Sequence, residues 1–117
     1  MRILFLLSTF AFILAGCVEK HASEAEAGVQ VVEITVGSLG YSPSRIELQA
    51  GIPARLIFTR TSDAGCTEEV HIPDFDIGRT ALPMNEPVAI AFTPSEPGSY
   101  TFACWMNMIK GTLIVRT

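Results

Sequence analysis

The chain reads Pro97-Gly98-Ser99-Tyr100-Thr101-Phe102-Ala103-Cys104-Trp105-Met106-Asn107-Met108. The alternation of Tyr100 and Phe102 predicts a strand, and three sulfur-bearing residues follow it within one short turn. Thiolate and thioether sulfurs are soft ligands that select Cu(I) over hard cations. The alternative interpretation is that both methionines fill gaps in the core and that Cys104 is a small buried hydrophobe.

Outward from this segment, short alternating segments separated by turn residues fill the chain after residue 28. The predicted strands lie at 29–36, 45–48, 54–60, 69–72, 79–82, 87–93, 99–103 and 112–116. Their spacing of about 8–12 residues is typical of β-sandwiches and barrels. Because no segment after residue 28 has a helical period, we predict an all-β, antiparallel sandwich or barrel of seven or eight strands.

The first 28 residues differ from the rest in composition. A positive start at Arg2 is followed by an apolar run at 3–14, which is shorter than the roughly 20 residues of a membrane span and predicts a signal peptide. Residues 14–17, Leu-Ala-Gly-Cys, resemble a bacterial lipobox, which implies cleavage before Cys17 and acylation of Cys17. We therefore predict a lipoprotein signal peptide at 1–16, a flexible lipid-anchored tether at 17–28 and one domain at 29–117.

Composition narrows the classes of function. The formal net charge is −4 and there is no basic cluster, so no nucleic-acid partner is expected and the lipid would supply membrane attachment. No nucleophile with a neighbouring base and no Cys-x-x-Cys motif stands out, so the chain is not expected to be an enzyme. The signal predicts a location in the cell envelope, facing the periplasm or the cell exterior.

The number of cysteines leaves two alternatives open. If Cys17 carries lipid, Cys66 and Cys104 remain as a pair. Cysteines of exported proteins are most often joined in disulfides, and the same two thiols could instead hold a soft metal ion. The residues alone do not decide between a disulfide and a metal site.

Several motifs together resemble the cupredoxin-like domain family, which includes EfeO-type domains and relatives of plastocyanin. They are Gly-Tyr-Ser-Pro at 40–43, Ala-Gly-Ile-Pro at 50–53, Pro-Asp-Phe-Asp-Ile at 73–77, Phe-Thr-Pro at 92–94 and the segment at 97–104. The resemblance spans residues 29–117 and implies a Greek-key sandwich. It also implies that the loop holding Cys66 and the loop that begins at Cys104 meet at one pole.

The domain departs from the family in its ligands. A blue-copper centre needs two histidines, one cysteine and a weak axial thioether, whereas His71 is the single histidine after residue 28. The Cys-x-Met-x-Met loop is instead similar to that of membrane-anchored bacterial Cu(I) chaperones. That resemblance implies a tight Cu(I) site at Cys66 and Cys104, with a weaker transfer site at Met106 and Met108.

Some relatives have a histidine at the position of Ile109, so a further ligand would have to come from elsewhere. Candidates for it are His71, Glu68, Glu69 and Met84. Alternation with Val70 and Ile72 predicts that His71 points outward, and Met84 is also explained as an ordinary turn residue.

These observations favour a lipid-anchored extracytoplasmic protein that holds Cu(I) for copper trafficking, buffering or resistance. Its partner would be a copper-exporting ATPase or an oxidase assembly protein. Two alternatives remain: an electron-transfer or oxidase-associated cupredoxin, and a metal-free adaptor domain with a Cys66–Cys104 disulfide.

Overall fold

The computed structural model describes residues 28–117, which form nine strands and one short 3₁₀ helix. The strands are β1 (Gln30–Gly37), β2 (Gly40–Ser42), β3 (Arg45–Gln49), β4 (Ala54–Arg60), β5 (Glu69–Ile72), β6 (Ile77–Ala81), β7 (Pro87–Phe92), β8 (Gly98–Ala103) and β9 (Lys110–Arg116). The 3₁₀ helix, Pro73–Phe75, joins β5 to β6. The predicted signal peptide, Cys17 and residues 17–27 of the predicted tether lie outside the described residues.

The strands form two packed sheets. One sheet has the order β2-β1-β4-β7 and the other the order β3-β9-β8-β5-β6, so the predicted all-β sandwich is confirmed. The sheets are mixed rather than purely antiparallel, because β1 runs parallel to β4 and β3 runs parallel to β9. Side-chain alternation shows which face of a strand is buried but not the direction of its neighbour, which explains the difference.

Three aromatic rings fill the middle of the core. Tyr41, Phe58 and Phe102 lie with ring centroids 4.8 to 6.1 Å apart in tilted and edge-on arrangements, which are the favoured geometries for aromatic pairs. Each ring belongs to a different strand, and Phe102 is the inward residue of β8 just before Cys104. The cluster therefore joins the two sheets and supports the end of β8.

Gly111 is the partner of Phe102 across the β8–β9 ladder. A Cβ atom at this position would lie 2.0 Å from Cζ of Phe102, so the ring occupies the space that any side chain would need. The absence of a side chain at residue 111 is thus what allows the Phe102 ring to lie flat against β9.

At the end of the sandwich where β1 begins, Gln30 fastens the first strand to the β3–β4 turn. Its side-chain amide donates to the carbonyl oxygens of Gln49 and Ile52, both at 2.9 Å, and its Oε1 accepts from the Gln49 N–H at 2.9 Å. The residues that line a hollow at this end include Gly28 and Thr117. Within residues 28–117, no helix is long and apolar enough to cross a bilayer.

Candidate metal centre

The loops that carry the predicted site lie at the opposite end of the sandwich. The parallel strands β1 and β4 both end there, and β8 ends there at Ala103, the residue before Cys104. We call this end the cysteine pole; its loops are 38–39, 61–68, 82–86 and 104–109. These loops come from four separate parts of the chain, so a site at this pole is assembled only by the tertiary fold.

The structure brings Cys66 and Cys104 together. Their Cα atoms are 5.9 Å apart and their sulfurs are joined in a disulfide, across a sequence separation of 38 residues. The proximity that the family resemblance implied is therefore present in the fold. The structure holds the pair in its oxidised form, which is one of the two states that the residues alone left open.

The loop that follows β8 folds back over the sulfur of Cys104. The N–H groups of Met108 and Ile109 donate to Cys104 Sγ at 3.3 and 3.5 Å. The turn is closed by the Asn107 N–H, which donates to the Cys104 carbonyl at 2.8 Å, and Asn107 itself is left-handed with φ 56°. Two backbone dipoles thus point their positive ends at the sulfur, an arrangement that would stabilise a thiolate at Cys104 once the disulfide is reduced.

The loop that carries Cys66 is organised by Arg60 and Thr67. Arg60 Nε donates to the Ser62 carbonyl and to Thr67 Oγ1, both at 3.1 Å, and Thr67 Oγ1 donates to the same carbonyl at 2.8 Å. Thr67 is fully buried, so its hydroxyl needs these partners. The loop is therefore fixed on one side of Cys66 by a satisfied polar network.

The same arginine attaches the segment that carries Met84. Arg60 Nη1 donates to the Leu82 carbonyl at 3.4 Å, and the Asn85 N–H donates to the Arg60 carbonyl at 2.8 Å. The Leu82 N–H in turn donates to the carbonyl of Glu68 at 2.8 Å. Met84 is thereby held at the cysteine pole, while Glu68 takes part through its backbone and leaves its side chain exposed.

Large apolar side chains are exposed at this pole. Those with substantial exposure in the described part of the chain are Leu39, Met84, Trp105, Met106 and Met108, and every one of them belongs to a loop of the cysteine pole. Met106 and Met108 are 55% and 69% exposed. Their thioethers are not core filling, so the alternative interpretation of these two methionines is wrong.

A chain of contacts holds Trp105 at the edge of the pole. Glu69 Oε2 accepts from Arg79 Nε at 2.6 Å, and the guanidinium of Arg79 lies 4.5 Å from the centre of the Trp105 ring. The Arg79 guanidinium therefore makes a cation–π contact with the Trp105 ring. The Glu69 carboxylate is thus engaged with Arg79.

His71 lies on the outer face of the five-stranded sheet. Its neighbours Val70 and Ile72 are fully buried, which agrees with the outward direction that alternation predicts. His71 pairs with Ala103 in the ladder, and its side chain lines a hollow with Asp76 and Arg79. Its role as a ligand remains a prediction that no contact with the cysteines supports.

With the cysteine pair reduced, the donors at the pole would suit a soft monovalent metal ion. No group of three or more histidine, cysteine, aspartate and glutamate side chains is assembled anywhere in residues 28–117. What the pole offers instead is two cysteine sulfurs and three exposed thioethers. Soft sulfur donors without an imidazole pair fit Cu(I) and fit poorly the hard cations that need oxygen ligands.

Sequence reasoning missed several residues that build this pole. Leu39 lies in the turn between β1 and β2, and only the topology shows that this turn lies at the same end of the sandwich as the cysteines. The sequence pattern predicts only that Arg60 is the last residue of an alternating strand, and it does not indicate the hydrogen bonds that Arg60 makes to the two loops. The donors to Cys104 are backbone N–H groups, for which no side-chain signal exists.

Comparisons with known proteins agree with the fold. The family model for the cupredoxin-like domain matches residues 4–115. The metal binding domain of the Cu(I) exporting P-type ATPase CopA of Streptococcus pneumoniae, solved with Cu(I), is 35% identical with a TM-score of 0.75, over 81% of this chain and 93% of that chain.

A second solved structure, a copper binding protein studied by NMR in its apo form, is 36% identical with a TM-score of 0.71, over 79% of this chain and 92% of that one. Auracyanin B, at 20% identity and a TM-score of 0.62, covers 80% of this chain and 93% of its own and shares the fold. None of the curated proteins matches this chain.

Proposed function

The chain belongs to the cupredoxin-like domain family, and on that premise we propose that it is a lipid-anchored extracytoplasmic protein that holds Cu(I) through cysteine and methionine sulfurs. Its role would be copper trafficking, buffering or resistance. One observation carries the proposal: Cys66 and Cys104, 38 residues apart in sequence, meet at a pole where methionine side chains are exposed.

The two kinds of sulfur have different accessibility, which suggests their roles. Cys104 is fully buried, whereas Met106 and Met108 are more than half exposed. Reduced Cys66 and Cys104 would form the tight site, since thiolates bind Cu(I) more strongly than thioethers do. The outer thioethers would hold the ion weakly, where a sulfur of the receiving protein can reach it and exchange ligands without releasing free copper.

Met84 is the strongest of the additional ligand candidates. It is 41% exposed and is fixed to the Cys66 loop through Arg60. We propose it as a third thioether of the outer site. Glu69 is engaged with Arg79, and His71 faces the outer side of the sheet, so both are weaker candidates than Met84.

The proposed receiver is a copper-exporting ATPase, because a domain 35% identical to this one is part of such an exporter; an oxidase assembly protein is the other candidate. Gly28 lies at the end of the sandwich away from the cysteine pole. An anchor attached through the preceding residues would therefore leave the pole directed away from the bilayer, where a partner can approach it.

The proposal is tested by titrating the reduced full chain, carrying Cys17→Ser so that no third thiol interferes, with Cu(I) against a competing chelator. We expect stoichiometric binding, with the affinity lowered about 100-fold or more in Cys66→Ser and Cys104→Ser. Met106→Leu, Met108→Leu and Met84→Leu should keep most of the affinity and slow transfer to a second chelator.

Ser95→Ala, an exposed change in the turn between β7 and β8, is the matched control and should behave like the parent. Absence of stoichiometric binding would refute the proposal, and equal losses in the cysteine and methionine variants would refute the two-site arrangement.

The metal-free adaptor is the second candidate, and the disulfide in the structure favours it. Thiols counted on protein taken directly from the cell envelope distinguish the two functions. A pair that is always oxidised in the cell supports the adaptor, whereas free thiols that become protected when copper is supplied support the Cu(I) carrier.

A further inference from the structure

The two sulfurs of the disulfide have unequal surroundings. Cys104 is completely shielded from solvent and its Sγ accepts two backbone N–H groups. Cys66 is only partly buried, and residues 63–65 just before it are exposed. Two of these residues, Ala64 and Gly65, have little or no side chain, so the approach to Cys66 is more open than the approach to Cys104.

This asymmetry has a defined chemical meaning. In thiol–disulfide exchange a thiolate attacks one sulfur and expels the other, and exchange is faster when the attacked sulfur is accessible and the leaving sulfur is stabilised as a thiolate. The N–H groups of Met108 and Ile109 are already positioned to stabilise charge on Cys104. We propose that the Cys66–Cys104 disulfide is a thiol–disulfide exchange site for a dithiol reductant, with Cys66 the attacked sulfur and Cys104 the leaving sulfur.

The reaction balances with one dithiol of the reductant. A thiolate of the reductant forms a bond to Cys66 Sγ, the Cys66–Cys104 bond breaks, and Cys104 leaves with the electron pair as a thiolate. The second thiolate of the reductant then attacks the reductant's first sulfur, which is bonded to Cys66 in the mixed disulfide, and Cys66 is released as a thiolate. Two electrons pass from the reductant to the cysteine pair, and the reductant ends as a disulfide.

The exchange step would supply the reduced cysteine pair that the proposed Cu(I) site needs, so its purpose rests on the proposed function. Only the reduced pair has the two thiolates that a tight Cu(I) site needs, and an oxidising compartment favours the disulfide. Reduction through Cys66 would therefore come before loading with Cu(I). The direction of attack itself depends only on the surroundings of the two sulfurs.

The test uses glutathione as the attacking thiol. The oxidised full chain with Cys17→Ser is exposed briefly to glutathione, and free thiols are then blocked with excess N-ethylmaleimide. Cleavage after Arg60, Arg79 and Lys110 places Cys66 and Cys104 in different tryptic peptides, 61–79 and 80–110. Mass spectrometry then shows which cysteine carries glutathione and which carries the maleimide.

We expect glutathione on peptide 61–79 and maleimide on peptide 80–110, in excess over the reverse arrangement by about tenfold or more at the shortest times. An equal mixture, or glutathione mainly on peptide 80–110, would overturn the proposal.

A second measurement uses the single-thiol variants and needs no mixed disulfide. In Cys104→Ser the remaining Cys66 thiol should react with an aromatic disulfide reagent about tenfold or more faster than the Cys104 thiol of Cys66→Ser. Circular dichroism establishes that both variants are folded, and equal rates in folded variants would overturn the proposal. The Cu(I) titration of chemically reduced protein reports separately on the proposed function, because it bypasses the exchange step.

Discussion

Tyr41 shows how a single atom can limit the stability of this core. Its ring packs against Phe58 and Phe102, but its hydroxyl is buried without a hydrogen-bond partner among the described residues. A buried polar group without a partner loses its hydration and gains nothing in return. Burial also raises the pKa of Tyr41 above its ordinary value of 10.0, because the ionised form is poorly solvated there.

We predict that Tyr41→Phe raises the free energy of unfolding by about 1 kcal/mol at neutral pH, since it removes the unpaired hydroxyl. Above pH 10 the unfolded chain releases the phenolic proton more readily than the folded chain, so the parent loses stability as pH rises. The variant should lack this loss, and its advantage should therefore grow above pH 10. Urea unfolding at pH 7 and at pH 10.5 measures both effects.

Tyr100→Phe is the matched control, because the Tyr100 hydroxyl donates to the Glu96 carbonyl at 2.7 Å. The same chemical change there should lower the free energy of unfolding by about 1 kcal/mol. A loss of stability in Tyr41→Phe comparable to that in Tyr100→Phe would contradict this account of the Tyr41 hydroxyl.

The candidate site could be predicted from the sequence only at residues whose side chains carry a chemical signal. Cys104, Met106 and Met108 stand out because their soft sulfurs alternate in one short segment, and Cys66 follows from the pairing of cysteines. The N–H groups around Cys104 could not be predicted, since every residue but proline has such a group and only the fold of the loop directs it. Leu39 was missed because an apolar residue in a turn gives no indication of what lies beside it.

The ladder between β8 and β9 is the element on which the cysteine pole depends. It places Phe102 opposite Gly111 and ends at Ala103 and Lys110, on either side of the loop that covers the Cys104 sulfur. Because a Cβ at Gly111 would overlap the Phe102 ring, any side chain there must move β9 or the ring. Either movement would reach Cys104, which is two residues beyond Phe102.

We predict that Gly111→Ala lowers the free energy of unfolding by about 1–3 kcal/mol, the range found when a packed core receives extra atoms. Gly78→Ala in β6 is the matched control, because nothing lies within 4 Å of its added Cβ, and it should change stability by less than about 0.5 kcal/mol. Thermal and urea unfolding measure both variants. Equal losses of stability in the two variants would show that replacing any strand glycine is destabilising here, and would contradict the role given to the Phe102 ring.

The strands themselves were predicted unevenly. Segments such as β4 and β7 alternate clearly, and their bounds agree with the sequence pattern to within one residue. The three-residue strand β2 was missed, because Gly40–Ser42 lies in a segment rich in turn residues. The parallel pairs β1·β4 and β3·β9 could not be read from alternation, because partners far apart in sequence are chosen by the packing of the whole sandwich.

At the scale of the whole molecule, the Cys66–Cys104 bond closes a long loop that contains β5, β6, β7 and β8. Opening it should increase the entropy of the unfolded chain. For a loop of this length, the chain-entropy estimate of the stabilisation is about 4 kcal/mol, and measured values for disulfides are typically about 2–4 kcal/mol. The oxidised and reduced proteins should therefore differ clearly in stability.

We predict that reduction lowers the free energy of unfolding by about 2–4 kcal/mol and that Cu(I) restores at least part of it. A ligand that binds only the folded state stabilises it by about 2.7 kcal/mol when its free concentration is 100 times Kd. Unfolding of the oxidised, reduced and Cu(I)-treated forms of the Cys17→Ser chain measures this. Reduced protein that gains no stability from Cu(I) would contradict the proposed function, whereas equal stability of the oxidised and reduced forms would contradict the loop-closure account.

The hollow that Gly28 and Thr117 help to line has a consequence for protein engineering. Because the first and last described residues line one hollow, the unit 28–117 can be spliced through two short linkers into a surface loop of a host protein. The cysteine pole is at the far end of the sandwich from both junctions and would face away from the host. Joined to a fluorescent host in this way, the domain would report on the Cu(I) binding that the proposed function assigns to it.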